Sequence, residues 1–62
     1  MIGTTRYEVS QGDLDGIQDS WEMAVYYDRE PTERVVRENS HTLLIEHIER
    51  GQVYHRTVYE GI

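Results

Sequence analysis

The pair Asp13 and Asp15 is the first feature of the sequence whose residue type and spacing could do chemistry, because Asp-x-Asp opens the calcium-binding loop of an EF-hand. That loop requires an oxygen ligand at its fifth position and a glycine at its sixth, where this chain has Ile17 and Gln18. Its twelfth position, a glutamate that binds the ion through both oxygens, falls on Ala24. The spacing therefore argues against a calcium site.

The three histidines and the three serines are equally poor candidates for a zinc site or a nucleophile. His41 and His47 would lie roughly 20 Å apart on a strand, at about 3.3 Å per residue. On a helix they would point about 120° apart, and His55 could approach Glu46 across a hairpin in one register. No serine lies in a nucleophile-elbow motif, and 62 residues leave little room for a substrate pocket as well as a core. We therefore expect no enzymatic activity, no metal site and no cofactor.

Charge is the more informative property of the chain. Twelve acidic residues face six arginines, for a formal net charge of -6, and the chain contains no cysteine. Six acidic residues and no basic one lie between Arg6 and Arg29. Such clustering predicts a face of strong negative potential, which repels nucleic acids and attracts proteins that bind them. The alternative is that acidity only keeps a small protein soluble, although solubility does not require the acids to cluster.

Four segments must position these groups. Residues 4–10 are β-prone and predict a short strand, followed by a turn at 11–13. Residues 13–28 predict a helix, either unbroken or divided near Asp19, where an aspartate and a glutamate three residues later resemble a capping box. Pro31 predicts the start of another short helix ending near residue 39. The apolar stripe of the 13–28 helix, which predicts its buried side, consists of Leu14, Ile17, Trp21, Ala24 and Val25.

Residues 42–60 predict a β-hairpin, with a helix over 41–50 as the main alternative. Its loop is either Arg50-Gly51 or Gly51-Gln52, and the two choices shift the pairing register. One face of the hairpin is predicted to carry Leu44, Ile48, Val53 and Tyr59. The other is predicted to carry Leu43, Ile45, Tyr54 and Val58. Together these segments predict a single α+β domain over residues 1–62. It consists of a three-stranded antiparallel sheet with one or two short helical segments packed on one face.

The predicted helix places Asp15, Asp19, Glu22 and Tyr26 on the same side. Asp15 to Glu22 covers about 10 Å at 1.5 Å per residue, a length in which one DNA strand places about three phosphates. Carboxylates steer the encounter with a basic protein, and a tyrosine supplies an anchor. The partner-binding residues predicted from charge and spacing are Asp13, Asp15, Asp19, Glu22, Tyr26, Asp28 and Glu30.

In its small size, its lack of cysteine and its cluster of acidic residues, the chain resembles the small phage-encoded anti-CRISPR proteins. Several acidic members of that group are DNA mimics that block target DNA binding by the effector complex. The resemblance implies a protein inhibitor of a CRISPR effector, taken here as type I. It carries no shared motif and therefore transfers no functional residue.

The alternative function is an interaction module that does not mimic DNA, such as an antitoxin or a small assembly subunit. It would bind through an apolar face of the sheet. In either case the expected partner is a protein, with neither nucleic acid nor membrane bound directly. No apolar run approaches the roughly 18 residues of a membrane span, and the first residues lack the pattern of a signal peptide. We therefore expect a cytoplasmic protein.

Overall fold

A computed structural model describes residues 2–62 as one helix packed on a four-stranded sheet. In chain order the elements are β1 (Gly3–Val9), α1 (Gln11–Tyr27), β2 (Glu33–Arg37), β3 (Thr42–Glu49) and β4 (Gln52–Gly61). The strand order across the sheet is β1-β4-β3-β2. β1 runs parallel to β4, while the β4–β3 and β3–β2 pairs are antiparallel. The predicted α+β class is confirmed, but the sheet has four strands and is mixed, not three-stranded and antiparallel.

The extra strand is β2, in the segment where the sequence predicts a second short helix. Val35 and Val36 are β-branched and favour a strand. On a helix Glu30 would pair with Arg34, and Glu33 with Arg37, but both arginines bind other elements instead. Arg34 contacts Glu46 on β3, and Arg37 contacts Asp15 on α1. Contacts distant in sequence therefore override the local pattern.

Helix α1 is a single unbroken helix, so the predicted division near Asp19 does not occur. It begins earlier than predicted, because Ser10 is the N-cap and its Oγ accepts a hydrogen bond from the Asp13 amide at 3.3 Å. The first helical turn is tied to the sheet by the Gln11 amide, which donates to the carbonyl oxygen of Ile62 at 3.2 Å. Asp28 ends the helix, and its amide donates to the Val25 carbonyl oxygen at 3.2 Å.

The predicted hairpin is confirmed, with Arg50-Gly51 as its two-residue loop. Arg50 has φ of 53° and Gly51 has φ of 78°, while Glu49 and Gln52 pair across the loop. Two consecutive positive φ angles are the property of a type I′ turn, which matches the twist of the strands it joins.

A β-bulge in this hairpin reverses the predicted facing of the β4 side chains that follow it. Ile48 pairs with Val53 but His47 pairs with His55, so Tyr54 is an extra residue on β4. Beyond the bulge each β4 side chain points to the face opposite to the one predicted. Val58 therefore shares the face of Leu44, and Tyr59 shares the face of Leu43, where the sequence predicts the reverse.

The core lies between α1 and one face of the sheet. Leu14, Leu43 and Ile45 are fully buried there, and the half-buried side chains around them are Val9, Ile17, Trp21, Val35 and Tyr59. The indole Nε1 of Trp21 donates to the hydroxyl of Tyr59 at 3.4 Å. In the part of the chain that the structure describes, the opposite face of the sheet carries no helix; we call it the open face. Within residues 2–62, no helix has the length and apolar character needed to cross a bilayer.

Candidate functional site

The exposed side of α1 carries a line of acidic residues that ends at a tyrosine. Asp15, Asp19, Glu22 and Tyr26 are spaced by four, three and four residues, so each lies within about 40° of the first around the helix. All four are exposed, and Tyr26 has 79% of its surface accessible. We call Asp15, Asp19 and Glu22 the acidic stripe. The spacing of these four residues in the sequence predicts this line, provided that the helix is unbroken.

One member of the acidic stripe is paired within the molecule. Arg37 Nη1 lies 2.9 Å from Asp15 Oδ1 and also donates to Gln18 Oε1 at 2.7 Å. The same guanidinium donates to the carbonyl oxygens of Asn39 and Ser40, at 2.8 and 3.0 Å. Arg37 therefore ties the helix to the segment that follows β2, and it offsets the charge of Asp15.

Asp19 and Glu22 differ from Asp15, because neither makes a salt bridge in the part of the chain that the structure describes. Their carboxylates lie one helical turn apart on the solvent side of α1. A pair of exposed like charges at this spacing slightly destabilises a helix. Two uncompensated carboxylates there are consequently available to an external cation or to a basic protein.

Exposed aromatic and apolar side chains lie beside these two carboxylates. The rings of Tyr26 and Tyr27 meet edge to face with centroids 5.0 Å apart, and 76% of Tyr27 is accessible. Met23, also exposed, completes with Asp19 and Glu22 a shallow hollow of about 490 Å³ around the two rings. Tyrosine and methionine are enriched at protein-binding surfaces, and charged groups lie mainly at the rim of such surfaces.

A second hollow separates the C-terminal half of α1 from β2, with a volume of about 380 Å³. Glu22 and Tyr26 form its helix side, while Arg34 and Val35 are among the β2 residues on the other side. The ring of Tyr26 thus stands on a ridge between two hollows, a position from which it can enter a partner's surface.

Sequence reasoning missed Met23 and Tyr27 as members of this surface. Tyr27 is one residue beyond Tyr26 and so lies about 100° further around the helix. Only the edge-to-face packing of the two rings joins it to the site. In the sequence, Tyr27 is a large aromatic residue that lies off the apolar stripe. Periodicity alone does not connect it to the acidic residues.

The remaining predicted site residues lie elsewhere. Asp13 is about 200° around the helix from Asp15, in the first turn, where a negative side chain suits the helix dipole. Asp28 is engaged at the end of the helix, where its Oδ1 accepts a hydrogen bond from the Glu30 amide at 3.1 Å. Glu30 is exposed in the loop before β2. The seven predicted residues are thus divided between the line of four, the helix start, the helix end and the loop.

The histidines do not form a metal site in residues 2–62, which contain no group of three potential ligands close enough to hold an ion. The bulge places His47 and His55 opposite each other, with ring centroids 5.7 Å apart. Each ring bonds to a threonine hydroxyl through Nε2, His47 to Thr57 at 2.8 Å and His55 to Thr5 at 2.9 Å. His55 does not face Glu46, whose neighbour across the hairpin is an arginine.

Comparison with known proteins adds no relative to this description. The chain matches no protein-family model, no curated protein and no solved structure.

Proposed function

We propose that the protein is an inhibitor that binds the nucleic-acid-binding surface of another protein, with carboxylates of α1 in place of backbone phosphates. The observation that carries the proposal is the pair of unpaired, exposed carboxylates at Asp19 and Glu22 beside two exposed tyrosines. Electrostatic attraction would guide this surface to a basic protein, and the tyrosines would supply the buried contact area.

The distribution of charge over the molecule supports this reading. The open face of the sheet carries three arginines and four glutamates: Arg6, Arg34, Arg56, Glu8, Glu38, Glu46 and Glu60. That leaves eight of the twelve acidic residues and only three of the six arginines for the rest of the molecule. The negative potential is therefore concentrated away from the open face, on the side that presents α1.

The length of the acidic stripe matches about three phosphates of one DNA strand, since it extends about 10 Å along the helix axis. Arg37 already compensates Asp15, so Asp19 and Glu22 supply the two full charges and Asp15 contributes a screened one. We propose the target to be a CRISPR effector, of type I, whose binding of target DNA is blocked. The choice of this class follows the resemblance in size and charge to acidic phage-encoded anti-CRISPR proteins that mimic DNA.

The test is inhibition of target DNA binding by purified type I effector complexes, measured by fluorescence anisotropy with increasing amounts of this protein. We expect stoichiometric inhibition of at least one effector by the wild-type chain. The double variant Asp19→Arg/Glu22→Arg should lose inhibition by about 100-fold or more, because two attractions become repulsions. Asp15 is left unchanged, so that its bond to Arg37 does not confuse the result.

The matched control is a pair of charge reversals of equal size outside the site, Glu8→Arg/Glu49→Arg. Both glutamates are exposed, and neither is part of α1. The control should inhibit within about threefold of the wild-type chain. Equal inhibition by the Asp19/Glu22 variant and by its control would show that the acidic stripe is not the binding surface. A failure to inhibit any effector in the panel would remove the proposed target class.

A second function is favoured by a separate observation, namely that half-buried Val36 and Leu44 lie on the open face with no helix over them. An antitoxin or assembly subunit would bind through this apolar face, and the acidic residues would only solubilise it. A salt titration of the complex separates the two functions. Binding through the acidic stripe should weaken steeply between about 50 and 200 mM salt, whereas an apolar interface should not.

A further inference from the structure

The open face of the sheet has three cross-strand rows whose chemistry differs. In the middle row Val58, Leu44 and Val36 lie side by side on β4, β3 and β2, and Arg6 continues the row on the edge strand β1. Val58 is only 8% exposed even though no second layer covers it. Long charged side chains on both sides of this row shield it, as arginine stems commonly do on apolar surface. The middle row is therefore an apolar band within a polar face.

The row on one side of the apolar band is basic at its surface. Arg56, Glu46 and Arg34 lie side by side there, in register with one another. Glu46 is 5% exposed and lies beneath the two arginines, contacting Arg34 Nη2 and lying 3.6 Å from Arg56 Nε. Its carboxylate is covered, so the solvent and any partner meet mainly the two guanidinium groups.

The row on the other side of the apolar band is acidic. Glu60 on β4 and Glu8 on β1 lie opposite each other in the register, and Glu38 lies just after β2, beside the apolar band. Arg6 Nη1 approaches Glu60 Oε1 at 3.6 Å, which leaves both groups more than a third exposed. Basic row, apolar band and acidic row thus follow one another along the strands.

We propose that a second copy of this chain covers the open face, with the two sheets stacked face to face. The two-fold axis would lie between the sheets, along the apolar band. That rotation keeps each strand above its own copy and reverses its direction, so the basic row of one copy meets the acidic row of the other. Arg56 would then face Glu60 of the partner subunit, and Arg34 would face Glu38 of the partner subunit. The residues of the apolar band would pack on their own copies, and at the β1 end of the row the two copies of Arg6 would meet, each offset by its own Glu60.

The self-complementary order of the three rows is the reason for choosing a second copy as the occupant. A face-to-face dimer must be self-complementary, and one with charges of opposite sign on the two sides of an apolar centre meets that condition. The nearly balanced charge of the open face also keeps repulsion low between two chains of net charge -6.

Dimerisation through the free edge of β2 is disfavoured by the same electrostatic reasoning. An antiparallel pair of β2 strands would extend the sheet and place the two α1 helices side by side on one surface. The hollow between α1 and β2 shows that Glu22 and Tyr26 border this edge. Two negatively charged helix faces would consequently be brought together, whereas face-to-face stacking keeps them on opposite sides of the dimer.

The size of the open face predicts a weak dimer. Four strands about 4.8 Å apart and three rows about 6.7 Å apart present roughly 400 Å² of planar area per copy. Stable complexes bury about 800 Å² of accessible surface on each partner, so this face is at the small end. We expect a dissociation constant on the order of 10–100 μM.

Sedimentation equilibrium of the intact chain, from about 10 μM to about 1 mM, tests the dimer. The mass should rise from monomer to dimer over that range, and Glu38→Arg should weaken the association at least about tenfold. Glu22→Arg, which changes the net charge equally but lies on α1, should associate as well as the wild-type chain or better. A chain that stays monomeric at about 1 mM, or equal weakening by the two variants, would overturn the proposal.

Crosslinking checks the arrangement independently, because the chain contains no cysteine of its own. Facing sheets lie about 10 Å apart, so a short bis-maleimide should join the thiols of Val36→Cys at dimer-forming concentrations. Ser20→Cys, exposed on α1, should stay uncrosslinked under the same conditions. Circular dichroism confirms that each variant is folded. Equal crosslinking of the two folded variants, or none of either, would contradict the stacked arrangement.

Discussion

The helix and the open face of the sheet differ in the share of their carboxylates that is paired with arginine. On the open face, Glu46 and Glu60 each lie within 4 Å of an arginine. On α1 the four acidic residues share a helix that contains no basic residue. A single arginine from β2 reaches Asp15 there, and Asp19 and Glu22 face solvent. The open face therefore pairs two of its four glutamates with arginine and leaves Glu8 and Glu38 exposed, whereas α1 has one paired acidic residue of four in the described residues.

This difference separates structural acidity from acidity that is available for binding. Glu46 is covered by the arginines beside it, and a buried carboxylate without such partners would be strongly destabilising. Asp19 and Glu22 form no salt bridge with the part of the chain that the structure describes. Solubility alone does not require two of the unpaired carboxylates, Asp19 and Glu22, to lie in line with an exposed tyrosine.

The largest expected effect of a substitution on stability is at the contact between helix and sheet. Leu14→Ala removes a fully buried side chain and leaves a cavity, which should lower the free energy of unfolding by about 2–5 kcal/mol. Met23→Ala, on the exposed side of the same helix, should change it by less than about 0.5 kcal/mol. Urea unfolding followed by circular dichroism measures both. Similar values for the two variants would mean that α1 does not pack on the sheet as described.

An intermediate effect is expected at the ion pairs of the two surfaces. Glu46→Gln keeps the shape of the side chain but removes the charge beneath Arg34 and Arg56. We expect a loss of about 1–2 kcal/mol, less than for a fully buried pair because both guanidinium groups reach solvent.

A smaller effect on stability is expected at Asp15. Asp15→Asn breaks an ion pair whose carboxylate side chain is 81% exposed, so the free energy of unfolding should fall by less than about 0.5 kcal/mol. Both variants are measured by thermal unfolding at low and high salt. A larger loss at Asp15 than at Glu46 would reverse the assignment of paired and available carboxylates.

The smallest effect on folding is expected for the exposed tyrosines. Tyr26→Ser/Tyr27→Ser removes two rings that contact mainly each other and solvent, so the midpoint of urea unfolding should remain nearly unchanged. Inhibition of the target should nevertheless weaken by about tenfold or more, as for the loss of aromatic anchors in other interfaces. Strong destabilisation would place the rings in the fold and not in a binding surface.

The sequence predicts the elements whose signals are local. The strand at the start, the helix with its apolar stripe and the hairpin with its glycine turn all follow from residue type and periodicity. β2 could not be predicted in this way, because its arginines pair with Glu46 and Asp15 from distant segments. The parallel pairing of β1 with β4 likewise joins the two ends of the chain.

The features of the candidate site that the sequence does not predict also depend on contacts between residues distant in sequence. Helical spacing brings Asp15, Asp19, Glu22 and Tyr26 together, and the structure places them on one line. The partial neutralisation of Asp15 depends on a strand that the sequence does not predict. On the sheet, the single extra residue Tyr54 decides which side Val58 faces, and no composition rule locates a bulge of that kind.

The most direct test of the central claim is a map of the surface that touches the target. NMR cross-saturation from an inhibited effector to the isotope-labelled chain reports which amides lie at the interface. The proposed function predicts that the strongest losses fall on Asp19, Glu22, Tyr26 and Tyr27, with Leu44 and Val58 unaffected. Losses centred on Leu44 and Val58, with α1 untouched, would contradict it and assign the binding surface to the sheet.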